Sequence, residues 1–457
     1  MSAELFSTTL RPVNGTTRPF TRRSFLKTLG GVGLAAPFVT RDLLARPPNS
    51  LLGHASFGAA GMAWEDLNQL AKFKRVYLIA VADVDLRRTV EVKKRFPGIR
   101  IYQDWRELLH AESRHLDSVN VSTPDHMHAP IAMTALQLGK NVYCQKPLTH
   151  DLYETRKLTE LARLKGVVTQ MGIQIHSSSF YRMAVLLVQA GAIGPIKEVH
   201  SWVGSCWGDT NPRPEVSDPV PAGCNWDQWL GVCAERPFIG KDYYHPATWR
   251  KRLDFGTGTL GDMACHIFDP VFKSLGLTAP ISVRSEGSAP NQWNWPVDSE
   301  VHYVFPGTPY TADKTIEVTW YDSSRRPPPP IRALLEGDEL PGAGSIFVGT
   351  QGVLVLPHVA RPLLYPDKKF KDLKLPDVTE DNHWGKFVEA CLGGTRTTAG
   401  FDYSGPLAET VLLGTVALRF PKTTLKWNAA ALNFSESEAN QYIRRQYRTG
   451  WAVKGLS

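Results

Sequence analysis

Three residues of the kind that move protons stand in telling places along this 457-residue chain. Lys146 directly follows an apolar run and precedes a proline, in Gln145-Lys146-Pro147-Leu148-Thr149-His150. Asp262 and His266 stand four apart inside the glycine-rich segment Gly256–Asp269, a spacing that on a helix puts both on one face. Lysine, carboxylate and imidazole brought together make a proton-transfer site. Each also has a plainer reading: Lys146 as a surface lysine before a turn, Asp262 as an acid serving a helix dipole, and His266 as a core histidine among Met263, Ile267 and Phe268.

A second polar cluster, Ser122-Thr123-Pro124-Asp125-His126-Met127-His128, also follows an apolar run. Ligands of open α/β sheets bind beyond the carboxyl ends of strands, so Ser122, Thr123, Pro124, His126, His128, Gln145 and Lys146 are candidate cofactor contacts. His126 and His128 have no third ligand at metal-binding spacing, and no metal is expected. Gln174, His176, Arg182, Tyr244 and His245 are candidate sugar contacts, and Trp249 and Arg250 candidate cofactor contacts. Aromatics beside hydrogen-bonding groups suit a ligand with apolar faces and polar edges, although packing explains each alone equally well.

The elements that must position these groups alternate. Leu51–Phe57 reads as a strand and Gly61–Phe73 as a helix; Val76–Val81, apolar throughout, reads as a strand covered on both faces. Leu86–Arg95, Ala129–Leu138 and Asp151–Lys165 read as helices between strands at Ser118–Val121, Asn141–Cys144 and Val167–Met171. This alternation predicts a doubly wound parallel sheet. The turn after the first strand, Gly58-Ala59-Ala60-Gly61-Met62-Ala63, keeps the first glycine of a Gly-x-Gly-x-x-Gly fingerprint and has small residues at the other two positions. Ala60 is tolerable there only if its backbone avoids positive φ. Asp83, 25 residues after Gly58, ends the second strand, where an acid binds ribose hydroxyls and repels a 2′-phosphate. Asp83 or Asp85 could equally cap the following helix. Strand, small turn, helix, strand and acid in this order predict a Rossmann domain binding NAD through Gly58, Ala60, Gly61, Met62 and Asp83.

Beyond residue 175, Val199–Trp207, Ile281–Arg284, Val301–Phe305 and Thr315–Trp320 have little helix between them, which predicts an α+β domain on an open, largely antiparallel sheet. The four prolines of Arg325–Pro330 predict an exposed extended loop. The expected organisation is a leader and linker over 1–46, the Rossmann domain over 50–175 and a substrate domain over 176–457.

Of the formal charge of +8, residues 1–46 carry +5, from seven basic and two acidic side chains. The remainder is too small to indicate a nucleic-acid partner. Thr21-Arg22-Arg23-Ser24-Phe25-Leu26-Lys27 and the apolar, glycine-rich run to Thr40 resemble a twin-arginine export signal, which implies a periplasmic enzyme loaded with its cofactor before export. No transmembrane stretch is evident. Six cysteines show no Cys-x-x-Cys spacing; Cys224 and Cys233 could pair in an oxidising compartment.

Thr-Pro-Asp-His-Met-His, Gln-Lys-Pro-Leu and Asp262-x-x-x-His266 together resemble the glucose–fructose oxidoreductase, inositol dehydrogenase and rhizopine-catabolism (Gfo/Idh/MocA) family, from Leu51 to about Trp451. Longer stretches resemble its exported members: Asn225-Trp226-Asp227 through Trp249-Arg250, and Phe401-Asp402-Tyr403-Ser404-Gly405-Pro406. The resemblance implies that Lys146 holds the reacting hydroxyl beside the nicotinamide, that His266 is the general acid/base, and that Asp262 binds substrate or orients the histidine. It also implies a homodimer or homotetramer. Gln145 replaces the glutamate common in the family, and loss of that ion-pair partner would tend to lower the pKa of Lys146. The implied activity is NAD-dependent oxidation of a sugar or polyol hydroxyl with a retained cofactor. One alternative is an NAD-retaining glycoside hydrolase that works by transient oxidation, elimination, hydration and re-reduction; another is a non-catalytic sugar-binding protein.

Overall fold

The computed structural model describes residues 51–457, which lie within one compact unit. The leader expected over 1–46 lies outside the described residues. Six strands, β1 (Leu52–Phe57), β2 (Val76–Ala82), β3 (Arg100–Tyr102), β4 (Ser118–Val121), β5 (Asn141–Gln145) and β6 (Thr169–Gly172), form an all-parallel sheet of order β3-β2-β1-β4-β5-β6. Helices α1 (Met62–Leu70), α2 (Val90–Arg95), α3 (Trp105–Glu112), α4 (His128–Gln137) and α5 (Leu152–Lys165) connect them. This is the doubly wound order whose direction reverses between β1 and β4, the usual ligand crevice. Every residue of β1 and β4 is buried, as central strands covered on both faces require.

Local chemistry sets the helix starts. Asp104, Asp151 and Asp85 each accept a backbone amide of the following turn, so Asp85 is the cap ahead of Leu86. The predicted helix Leu86–Arg95 begins as a 3₁₀ turn over Leu86–Thr89 before α2. No element is expected from sequence at β3 or α3, although Trp105, Leu108 and Leu109 bury one face of α3 at helical spacing. Arg100 pairs with Glu112, and Tyr102 donates to the same carboxylate at 2.7 Å, tying strand to helix through polar groups.

After α6 (Ser179–Gln189), a nine-stranded sheet follows: β7 (Ile196–Val203), β8 (Ser282–Ser285), β9 (Glu300–Pro306), β10 (Thr315–Asp322), β11 (Ala343–Gly349), β12 (Val353–Pro357), β13 (Leu363–Tyr365), β14 (Thr424–Asn428) and β15 (Asn433–Phe434). Its order is β13-β12-β11-β7-β10-β9-β8-β14-β15, antiparallel apart from β7 against β10. Burial alternates along β9 and β14, the period-two signature of a sheet with one covered face. The long helix α7 (Gly258–Leu275) carries Asp262 and His266 and packs against this sheet through Ile267, Phe268 and their neighbours. Two later helices return to the first layer: Phe387, Val388 and Cys391 of α8 (His383–Cys391) join Leu52, Leu70 and Tyr143 in one apolar cluster, and α9 (Phe401–Ala417) packs on α5 and α7.

Two expectations need correction. The proline run is not an exposed extended loop throughout: Pro327 is buried, and Pro329 opens the helical turn Pro329–Arg332. Proline suits the first helical position, where its missing N–H has no partner to lose. Cys224 and Cys233 do not pair. Both are free, and the buried Cys233 thiol donates to the Asp254 carbonyl at 3.2 Å.

Candidate active site

The carboxyl ends of β1, β2, β4 and β5 open into a cleft of about 350 Å³. Gly58, Ala60, Gly61, Met62, Asp83, Ser122, Thr123, Pro124, His128, Gln145, Lys146, Trp249 and Arg250 all line it. Gly58 has φ +106°, and a Cβ there would come within 2.7 Å of the Ser122 carbonyl and 2.9 Å of Ala63. Gly61, also at positive φ, caps α1, while Ala60 is not among the positive-φ residues, so the alanine in the fingerprint is accommodated. The Asp83 carboxylate accepts the Ala59 amide at 2.9 Å and the Asp85 amide at 2.9 Å. Burial pushes the Asp83 pKa up. Each oxygen keeps a lone pair that can accept a hydroxyl. Thr123 Oγ1, in the same wall, is buried without a partner. A backbone cradle, a helix N-terminus, an acid at the end of the second strand and an unpaired hydroxyl together fit a dinucleotide.

The outer wall comes from the excursion between β7 and α7. Leu86 N–H donates to the Gly223 carbonyl at 2.9 Å, Asn225 N–H to the Val84 carbonyl at 2.8 Å, and the Gln228 amide to Asp104 at 2.9 Å. This strap carries Trp229 and His245–Arg250 to the cleft. His245 sits here, not at a sugar site: it bonds Asp85 at 3.1 Å and accepts from Trp229 Nε1 at 3.2 Å. Arg88, Gln103 and Trp105 also line the cleft and had not been singled out from sequence.

Polar groups at the inner end are held in place. The two His128 ring nitrogens lie 2.8 Å from the Pro147 and Thr123 carbonyls; burial brings its pKa down to about 4, and the neutral ring donates to one of them. His126 does not line the cleft. It packs against Trp229 and Phe255, and burial lowers its pKa to about 3. Gln145 donates to both oxygens of Asp66, at 3.1 and 2.9 Å. Asp66 also accepts from Ser122 Oγ at 2.7 Å and Trp384 Nε1 at 2.8 Å; burial raises its pKa to about 6, against the pull of these donors. Asp66 was missed, although an acid on the buried face of α1 beside Ala63, Leu67 and Leu70 is a signal. Asp125 is a further buried acid: it accepts from Thr257 at 2.7 Å, and burial lifts its pKa to about 7.

Lys146 keeps a carboxylate partner despite Gln145. Its ammonium donates to Asp262 Oδ1 at 2.7 Å and to the Asp262 backbone carbonyl at 2.8 Å. Arg250 Nε reaches the same oxygen at 3.2 Å, with its guanidinium stacked over Trp249 at 4.3 Å. Burial works to raise the Asp262 pKa, but Lys146 and Arg250 together bring it down to about 2. Two cations on one carboxylate leave net positive charge facing the cleft. His266, one turn further along α7, lines an adjoining narrow crevice with Ile175, Tyr181 and His358. Lys146 and His266 therefore line neighbouring crevices, with Asp262 linking them. Burial drives the His266 pKa well below its usual value, the Lys146 charge adding to the effect.

The other predicted sugar contacts lie elsewhere. Gln174 donates to the Tyr143 hydroxyl at 3.1 Å, and Arg182 pairs with Asp381 at 2.8 Å at the surface. His176 is buried against Asp269 at 2.9 Å, and Tyr244 is buried among aromatics with its hydroxyl accepting from Arg213 at 3.0 Å. None of these four lines either crevice. Polar character made them candidates; intrachain partners satisfy them.

Comparison with known proteins agrees with this geometry. Residues 53–173 match the Gfo/Idh/MocA oxidoreductase model for its NAD-binding Rossmann fold, and residues 190–304 match that family's C-terminal alpha/beta domain. Levoglucosan dehydrogenase of Pseudarthrobacter phenanthrenivorans is 25% identical over 190 residues, 41% of this chain and 40% of that protein. Inositol 2-dehydrogenase of Rubrobacter xylanophilus is 30% identical over 146 residues, 32% of this chain and 41% of that protein. The chain thus spans less than half the length of either relative. The WlbA dehydrogenase of Chromobacterium violaceum, solved with NADH and UDP-GlcNAcA, shares the fold at TM-score 0.60 and 16% identity, over 84% of this chain and 98% of that one. With the two family models together matching more than half of its residues, the chain belongs to the Gfo/Idh/MocA oxidoreductase family and carries that family's NAD-binding Rossmann domain.

Proposed function

We propose that this protein oxidises a hydroxyl of a sugar or polyol using NAD held in the β1–β4 cleft. The observation that carries the reading is the Lys146 ammonium at the inner end of that cleft, bonded to Asp262 one helical turn before His266. NAD, when bound, accepts hydride from the carbinol carbon. The hydroxyl proton must leave at the same time. His266, kept neutral by burial, has a lone pair to take it, so the carbinol becomes a carbonyl and the proton ends on the imidazole. Lys146 stabilises alkoxide character on the reacting oxygen. Asp262, ionised throughout the neutral range, fixes the lysine, and Arg250 adds positive charge. Gly58, Gly61, Asp83 and Thr123 are the groups that would hold the dinucleotide.

The strap over the cleft supports a cofactor retained between turnovers, as the twin-arginine-like leader and a periplasmic location would require. Purified protein is denatured by heat and the supernatant assayed for NAD; native protein is then mixed with a sugar panel while nicotinamide absorbance is followed. Near-stoichiometric NAD that becomes reduced on sugar addition is expected. Protein that is empty and takes up no added NAD would favour a non-catalytic sugar-binding role. Release of the aryl group from an aryl glycoside without added cofactor would favour the hydrolase.

A further inference from the structure

All thirteen histidines lie among the described residues, and the state of their ring nitrogens sorts them. Ten are hydrogen-bonded within the chain: His54, His115, His126, His128, His150, His176, His200, His245, His302 and His383. His110 is exposed to water. The two that remain, His266 and His358, have no hydrogen-bond partner among the described residues: the His266 Nδ1 atom is buried, and His358 is half-buried. Their rings face each other at 5.9 Å between centroids, across the crevice that both line.

Buried polar atoms in a folded chain are almost always partnered, so the unpaired His266 Nδ1, with the unpaired His358 ring beside it, marks a place that a ligand or water completes. The other polar side chains of this crevice are engaged. Tyr181 donates to Asp269 at 3.0 Å, and Ser345 bonds Ser201 at 2.8 Å. His358 is also well placed to act as a fixed ligand. It follows β12 directly, and its backbone amide donates to the Ala343 carbonyl at 2.8 Å, which anchors it to the sheet while the ring stays free. The Lys146 charge acts on both imidazoles.

We propose that His358 is a substrate-binding residue that hydrogen-bonds the hydroxyl next to the one being oxidised, so that His266 and His358 together grip two neighbouring hydroxyls of one sugar or polyol. Hydrogen bonds of about 2.8 Å from imidazoles at this separation reach adjacent oxygens on one ring. The inference rests on the reading of this cleft as a sugar oxidoreductase site, and it sharpens the substrate class to molecules carrying a vicinal diol.

The test is equilibrium binding by calorimetry, which does not depend on turnover. NAD-loaded wild type, His358→Phe and His358→Gln are titrated with a sugar and with its monodeoxy analogues; melting temperatures report whether each variant is folded. His358→Phe should weaken binding of the parent sugar about tenfold, the usual worth of one hydrogen bond. His358→Gln should recover part of that loss. For one monodeoxy analogue, wild type and His358→Phe should bind equally, because the partner of His358 is missing from the ligand. Equal losses on every analogue, no loss at all, or no binding of any sugar by wild type would each overturn the proposal. Sugar binding that follows this pattern without nicotinamide reduction would uphold the role of His358 while removing the oxidoreductase reading.

Discussion

The nucleotide cleft and the His266 crevice are built on different terms. At the nucleotide end the acids already have partners, Asp83 holding two amides and Asp66 three side-chain donors, although the buried Trp105 Nε1, Thr123 Oγ1 and Gln228 Oε1 have none among the described residues. At the far end, His266 and His358 have none. Acids fixed by the chain before binding, beside a few unpaired neutral groups, give a preformed wall that suits a resident cofactor. A wall with unmet hydrogen bonds gains most when a polar ligand arrives and loses it again when the ligand leaves, which suits a substrate that exchanges. Lys146 stands at the boundary and is satisfied by Asp262 alone among side chains.

The contrast can be broken most forcefully at that boundary. Lys146→Met should lower kcat/KM for the sugar about 10³-fold while leaving the NAD content of the purified protein unchanged; steady-state kinetics beside a denaturation assay for NAD checks both. His266→Asn should cost about 10²-fold or more, again with NAD retained. In wild type, burial holds the His266 pKa well below 6.5, so kcat/KM should stay level through the neutral range and fall only in acid. An acid limb at or above the ordinary histidine pKa would count against a neutral, buried base.

Stability measurements sharpen the comparison further. Asp262→Asn leaves Lys146 and Arg250 facing each other and should cost about 3 kcal/mol or more in urea unfolding. The folded pKa of Asp262, about 2, lies below the ordinary aspartate value of 3.8, so its stabilisation is full above about pH 4 and drains as pH falls toward 2. Asp66 behaves in the opposite sense. Its folded pKa is raised to about 6, so the folded state binds the extra proton, and wild type loses stability as pH climbs from about 4 to about 6. Asp66→Asn should flatten that slope, which amounts to about 3 kcal/mol in wild type. The smallest expected effect is none: a reducing agent should leave Tm unchanged, because Cys224 and Cys233 are free.

Much of the nucleotide end was legible because its signals are local. The Gly58 turn, Asp83 and the polar segments after β4 and β5 lie within one alternation of strands and helices, and each sits at a strand end by construction. The Asp262–His266 spacing was equally readable, since one helix carries both residues. What could not be read depends on long separations, 318 residues for Trp384 and Asp66. Trp384 closing on Asp66 is set by how α8 returns to the first layer, and His358 facing His266 by how α7 packs on the second sheet, and no periodicity reports either. Gln174, His176, Arg182 and Tyr244 show the converse error: residue type proposed contacts that buried partners such as Asp269 had already claimed.

The central claim is that this chain carries hydride from a sugar carbon to its own nicotinamide under the control of Lys146. NAD-loaded protein is mixed with a sugar deuterated at the reacting carbon, and the released cofactor is examined by mass spectrometry. Deuterium in the reduced nicotinamide of wild type, and its absence in a Lys146→Met protein that still holds NAD, is the predicted result. A wild-type cofactor that gains no deuterium from any sugar offered, or a Lys146→Met protein that gains it as readily, would contradict the account.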